Sequence, residues 1–317
     1  MSTSYQHTFE TDDPLTECPT IETTINNTAA LNIDILLLGE TGTGKDTLAL
    51  RVHRLSGRRG NFVAVNCAAI PETLAESQLF GVNSGAYTGA MQSRAGFVEA
   101  AHLGTLYLDE IDSMPLALQA KLLRVLESRG VERLGSTRFI PVDMRVIASA
   151  QHSLHEMVEQ GGFRRDLYFR LNVVCIKLPP LRERRDRIIP MFLNMIRQEA
   201  EHFDCPALCA PSALLQQLLC HSWLGNVREL RSTAKRFVLG LPPFSEHAIG
   251  SEPQLNTLKA RLHQIERSLI EESLRRHDYN VEAVAVELGV ARRTLYYRMK
   301  QLEIVAKSDT QQQTPIT

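Results

Sequence analysis

The stretch "IDILLLGETGTGKDTLALRVHRLS", residues 33–56, decides how this chain folds. Ile35–Leu38 is a four-residue apolar run, the length of a strand buried on both faces. Gly39, Gly42 and Gly44 then make a turn, and the residues after Lys45 have helical spacing. A strand, a glycine turn and a helix in that order form a phosphate cradle. Backbone N–H groups of the turn face the phosphate oxygens, and the helix N-terminus adds partial positive charge. Lys45 is placed to reach the outer phosphates. The hydroxyl residue that normally follows is replaced by Asp46, with Thr47 one position late, about 100° round the helix. A carboxylate can serve the same Mg²⁺. The cradle is thus expected to comprise Gly39, Glu40, Thr41, Gly42, Thr43, Gly44, Lys45, Asp46 and Thr47.

Further strands are expected in "FVAVNCAAI", "GTLYLDEID", "DMRVIASAQ" and "NVVCIKLPPL", with helical segments between them. Alternating strands and helices predict an α/β fold, a parallel sheet covered on both sides. In "PLALQAKLLRVLESRG" the spacing puts Leu116, Ala120, Leu123 and Val125 or Leu126 on one face. Residues 186–240 read as helical, a small lid subdomain after the α/β part at 19–185. Residues 241–254 have linker composition, 255–305 form a last helical unit, and 306–317 are a polar tail. Residues 1–18 read as an acidic disordered arm.

The chain of 317 residues has a net charge of −1, but residues 1–35 hold six acidic groups and no Lys or Arg. The remainder is therefore about +5, which permits binding to nucleic acid. No apolar run reaches ~18 residues and no secretory signal is evident, so no membrane association and a cytoplasmic location are expected. The six scattered cysteines fit reduced thiols better than a disulfide framework. His202, Cys205 and Cys209 lack a fourth zinc ligand at suitable spacing and read as a helix start.

Three other constellations carry chemistry. "LYLDE" ends a buried strand with Asp109 and Glu110, the first suited to hold Mg²⁺ and the second to polarise an attacking water. "GGFRRDLYFRLNVV" brings Arg164, Arg165 and Arg170 together, either as a surface cluster or as a source of an arginine for a neighbouring subunit's γ-phosphate. "NVEAVAVELGVARRTLYYRMKQLEI" gives a helix lined by Val281, Val284, Ala285 and Leu288, then a turn at Gly289. A second helix follows, carrying Arg292, Arg293, Thr294, Tyr296, Tyr297 and Arg298. That is a helix-turn-helix whose second helix suits the major groove. The amphipathic segment 255–276 before it is expected to pair two copies.

Together "GETGTGKD", "FVAVNCAAI", "ESQLFG", "GAYTGA", "GTLYLDE", "FRRDLYFRLNVV", "LPPLRERRDRI" and "WLGNVREL" resemble the bacterial enhancer-binding activators of sigma-54 RNA polymerase. These are AAA+ ATPases with a Fis-like helix-turn-helix, and the match covers roughly residues 31–240 and the C-terminal unit. The resemblance implies that ATP and Mg²⁺ are bound, with Asp109 and Asp46 serving the metal. It further implies that Asn66 holds Glu110, that Arg164 and Arg170 act in trans within a hexameric ring, and that Arg228 senses nucleotide from the lid. The loop Gly85, Ala86, Tyr87, Thr88, Gly89 and Ala90 is expected to contact the sigma factor, with Tyr87 in place of the usual Phe.

Two departures stand out. The sensor strand, which in the family ends Ala-Thr-Asn, has Ala150 and Gln151 in its last two places, and Leu224 replaces a usual Pro. About 30 residues precede the first strand, which is expected to be too few for a receiver or ligand-binding domain. The short activators of this build drive type III secretion genes or the envelope stress response, the former being the closer likeness. They form rings, sometimes mixed with a paralogue, and are restrained by separate inhibitory proteins. Two other readings share the fold: a DNA-binding repressor that only binds nucleotide, and a replication initiator or helicase loader.

Overall fold

The computed structural model describes residues 19–86, 92–206, 209–244, 266, 267, 269, 270, 273, 274, 276, 277, 279–302 and 304. Two compact units divide the chain. One holds residues up to 210 together with 222–241, and the other holds 211–221 and 242 onward.

The first unit is built on a five-stranded parallel sheet. Its strands are β1 (Ile35–Leu38), β2 (Phe62–Asn66), β3 (Thr105–Asp109), β6 (Arg145–Ala150) and β7 (Val174–Lys177), in the order β2-β3-β6-β1-β7. Side chains alternate across the sheet because the strand period is two. Ile35, Leu37, Tyr107 and Ile147 face one layer with α1 (Pro19–Thr28) and α2 (Lys45–Leu55). Leu36, Leu106, Leu108, Val146 and Ala148 face the other, with α3 (Glu72–Phe80), α4 (Phe97–Ala100), α5 (Leu116–Ser128), α6 (Leu154–Glu159) and α7 (Arg165–Leu171). The parallel α/β sheet expected from the strand spacing is the one observed.

Helix α5 buries Leu123, Val125 and Leu126, as its spacing suggested, but its buried stripe is wider and differs over the first turn. Leu118, Leu122, Val125 and Leu126 are buried together with Gln119, whereas Leu116 is exposed and Ala120 only half-buried. Leu116 is the first helical residue after Pro115, so its side chain points off the open end. Gln119 fits a buried position because its amide donates to Met114 O at 2.8 Å and accepts from Arg164 N–H at 2.8 Å.

At the edge of the sheet where the strands begin, Arg145 is fully buried and donates to the carbonyls of Thr28, Ala29 and Ile33 at 2.6–3.1 Å. It thereby closes the end of α1, whose last carbonyls have no helical partner. Beyond the sheet, α8 (Arg185–His202) and α10 (Asn226–Val238) pack on each other and on the turn at Leu181–Glu183. A short hairpin of β4 (Gly130–Glu132) and β5 (Phe139–Pro141), not expected from the sequence, follows α5.

In the second unit, which also holds α9 (Ser212–Cys220), α11 (Val281–Glu287) and α12 (Arg292–Gln301) are joined by a turn with Gly289 in the left-handed region. Val281, Val284, Ala285, Leu295, Met299 and Leu302 form its core with Ile270 and Leu274. The segment 255–265 lies outside the described residues.

Candidate functional site

The C-terminal ends of β1, β3 and β6 lie side by side, and the phosphate loop and the pair Asp109–Glu110 sit there. Gly42 and Gly44 adopt positive φ, which turns the loop back onto the first turn of α2. Lys45 is buried, and its Nζ donates to Gly39 O at 2.7 Å and Glu40 O at 3.1 Å, curling the ammonium over the loop. Burial depresses its pKa, and the charges of Asp109, Asp46, Asp112 and Glu110 oppose that shift. Thr43 ties the turn by donating to Glu40 O at 2.8 Å.

Tyr107, which the sequence reading did not single out, donates its hydroxyl toward Asp46 and Asp109. It stands 2.7 Å from Asp46 Oδ1 and 3.2 Å from Asp109 Oδ1. Burial and the adjacent Asp46 carboxylate push its pKa well up, so it stays a donor. One buried phenol thus holds the acid on α2 beside the acid on β3. Ser149 on β6 also donates to Asp109 Oδ1. These carboxylate and hydroxyl oxygens suit Mg²⁺, which is typically held by one or two carboxylates plus phosphate oxygens.

Two of the expected residues have other partners within this chain. Asn66 donates to Asp109 Oδ2 at 3.3 Å rather than to Glu110, and Glu110 Oε1 instead accepts from Gln151 Nε2 at 2.7 Å. The reason is register: Asn66 lies directly opposite Asp109 in the β2–β3 ladder. Arg170 is engaged within its own chain. Its Nη1 donates to the buried Asp34 at 2.5 Å within the same chain. Arg164 is exposed and pairs with Asp166 at 2.6 Å. Of the two, Arg164 is the more exposed.

The lid meets the phosphate loop through residues that sequence reasoning passed over. Arg182 donates to both Glu40 oxygens at 2.8 and 2.5 Å, and Asn226 Nδ2 donates to Glu40 Oε2 at 3.1 Å and Thr41 O at 3.0 Å. Val227 N–H donates to Gly42 O at 2.9 Å. A Cβ on Gly42 would stand 2.4 Å from Gly225 O, so only glycine lets the lid approach this closely. Glu40 therefore serves as a latch to the lid, its pKa lowered to about 2, chiefly by the Arg182 hydrogen bonds. Arg228 is exposed on the first turn of α10, with its Cβ against Gly42. "LPPLRE" and "WLGNVREL" carried the signal, but nothing in a linear reading joins Arg182 and Asn226 to Glu40.

Of the expected sigma-factor loop, Gly85 and Ala86 are described, while Tyr87, Thr88, Gly89 and Ala90 lie outside the described residues. Its stem is a small ladder. Val82 and Arg94 exchange backbone hydrogen bonds at 2.9 and 2.8 Å, and Asn83 N–H donates to Leu134 O at 3.0 Å. Arg133 beside that turn binds Glu99 through two hydrogen bonds, 2.7 and 2.6 Å. The unanticipated β4–β5 hairpin thus braces the loop.

On α12, Arg292, Arg293, Thr294, Tyr296, Tyr297 and Arg298 are all exposed, while Leu295 and Met299 face the core. Arg292 pairs with Glu282 and lies over the Tyr296 ring, and Arg298 pairs with Glu266 at 3.3 Å.

Fold and site together define a P-loop protein of AAA+ type joined to a helix-turn-helix. Models of three domains match: a sigma-54 interaction domain over residues 15–177, an AAA+ ATPase lid domain over 182–268, and a Fis-family bacterial regulatory protein over 261–302. The chain belongs to the family of sigma-54-interacting bacterial activators. It is 55% identical over 94% of its length to the pathogenicity locus probable regulatory protein WtsA of Pantoea stewartii subsp. stewartii, covering 92% of that protein. It is equally identical to HrpS of Pseudomonas syringae pv. syringae, over 93% of this chain and 98% of that one. Among solved structures, NtrX of Brucella abortus in complex with ADP superimposes with a TM-score of 0.74 at 30% identity, over 90% of this chain and 68% of NtrX. NtrX has also been crystallised with ATP. Among the described residues, no helix is long and apolar enough to cross a membrane.

Proposed function

We propose that this chain hydrolyses ATP in a ring, binds enhancer DNA through α12, and remodels the closed complex of sigma-54 RNA polymerase into the open complex. The observation that carries this reading is the alignment of three strand ends, which puts Lys45, Asp109 and Glu110 at one site beside the lid latch. Lys45 and the loop amides bind the phosphates. Asp109 and Asp46 hold Mg²⁺, which neutralises phosphate charge when bound. Glu110 accepts the proton of the attacking water. Arg164, exposed at the start of α7, is the residue that reaches a neighbouring subunit's nucleotide, with the ring a hexamer of one chain or mixed with a paralogue. Arg228 reads the nucleotide from the lid. The loop around Tyr87, on its braced stem, carries the change to the sigma factor.

The pathogenicity-locus regulators at 55% identity support a role in controlling type III secretion genes, restrained by an inhibitory partner protein. The test is in vitro transcription with sigma-54 polymerase. Tyr87→Ala should retain ATP turnover and lose open-complex formation, and Lys45→Ala should lose both. Parallel loss of both activities in Tyr87→Ala would make the loop structural.

A further inference from the structure

The end of β6 is bonded residue by residue to the acidic string Asp109–Asp112. Ser149 Oγ donates to Asp109 and accepts from Glu110 N–H at 3.2 Å. Gln151 Nε2 donates to Glu110 Oε1 at 2.7 Å. The backbone N–H groups of Gln151 and His152 donate to Asp112 Oδ2 at 3.2 and 3.3 Å. Glu110 itself sits in the left-handed region, φ 53° and ψ 48°, a conformation that a non-glycine residue keeps only when its surroundings impose it.

This arrangement determines which way Gln151 points. Glu110 carboxylate oxygens only accept, so the group facing Glu110 must be the amide NH₂. Asp112 anchors the backbone from which that side chain springs. Asn66 is otherwise engaged, with its Oδ1 accepting from Ala68 and Ala69 N–H at 2.9 and 3.0 Å and its Nδ2 directed to Asp109.

We propose that Gln151 is the positioning residue for Glu110, tethering Oε1 so that Oε2 is left to face the attacking water. The sequence departure at Ala150–Gln151 is then a transfer of work: the strand end orients the base. Length matters. Asparagine at 151, the residue in which the family's strand ends, loses one methylene, at most about 1.5 Å of reach. That opens a 2.7 Å hydrogen bond to about 4 Å, beyond bonding distance.

The proposal rests on the ATP-hydrolysis reading above, and the experiment separates the two. Full-length wild type, Gln151→Ala, Gln151→Asn and Glu110→Gln are compared for steady-state ATP turnover and for equilibrium binding of ADP and a non-hydrolysable ATP analogue. A hydrogen bond to a charged group corresponds to about 10- to 100-fold in rate. The expected result is a kcat lowered by about that factor in both Gln151 variants, with KM and both dissociation constants unchanged. Wild-type kcat in Gln151→Ala, or full kcat in Gln151→Asn, overturns the tether. Loss of nucleotide binding in parallel with kcat also overturns it, because Gln151 would then be shaping the cradle. Absence of hydrolysis by wild type, with nucleotide still bound, overturns the functional reading and the tether with it.

Discussion

Replacing Arg170 tests most sharply how the two arginines divide their roles. Asp34 is 2% exposed and accepts from Arg170 Nη1 at 2.5 Å and from Val146 N–H at 3.0 Å. The other nearby guanidinium, Arg145, is spent on the carbonyls of Thr28, Ala29 and Ile33. Arg170→Ala thus leaves a buried carboxylate with one backbone donor. Removing one partner of a buried ion pair costs about 3–5 kcal/mol. Arg170 is about a quarter exposed, so water partly replaces it and the low end, about 3 kcal/mol, applies. At ~2–4 °C per kcal/mol for a unit of this size, the melting temperature should fall by roughly 6–12 °C. Asp34→Asn in the same chain should recover part of the loss, because the buried charge is gone. Arg164→Ala should melt with the wild type, since its pair with Asp166 is in open water. It should nevertheless lose ATP turnover in the assembled ring. Thermal unfolding followed by circular dichroism, with turnover on the same samples, decides the matter. An Arg170→Ala protein that melts like wild type yet fails to hydrolyse ATP would refute the reasoning and return Arg170 to a trans role.

Gly42→Ala should lower nucleotide affinity by about tenfold or more with the circular dichroism spectrum preserved. Its φ of 77° disfavours any side chain, and the new methyl meets the rigid Gly225 carbonyl, so the lid's approach is lost. An unchanged affinity in a fluorescent-nucleotide titration would show that the latch does not govern binding. Glu40 gives a pH signature with a definite sign. Its folded pKa is depressed from 4.5 to about 2, so the latch's contribution is complete above 4.5 and is lost as pH falls toward 2. Arg182→Ala should therefore melt below wild type at pH 5 and above, with the gap narrowing between pH 4.5 and 2. A gap independent of pH would mean that Arg182 stabilises by packing rather than by charge.

Much of the site was legible because phosphate binding needs a contiguous piece of chain. Glycines at 39, 42 and 44, the lysine at 45 and the preceding apolar strand must be neighbours in sequence to form one cradle, so a linear reading finds them. The acid pair was legible because it ends an apolar strand in a chain that also carries the phosphate loop; alone it would be a weak signal. The helix-turn-helix was readable from the 3.6-residue spacing of Val281, Val284, Ala285 and Leu288, all of which pack in the core. What was not legible involved partners distant along the chain. Arg170 and Asp34 are 136 positions apart, and Glu40 and Asn226 are 186 apart.

The order of apolar and polar residues along the chain was therefore enough to determine a parallel α/β body with a phosphate loop, an acid pair and a basic reading helix. Each of these depends on local periodicity or on a few adjacent residues. Only the tertiary structure decided which donor meets which acceptor. Strand register sends Asn66 to Asp109, the end of β6 brings Gln151 to Glu110, and the buried Asp34 claims Arg170. The physical reason is the same in each case. A carboxylate wholly or partly withdrawn from water must be satisfied by whatever donor folding delivers to it, and the sequence names many donors without stating their distances.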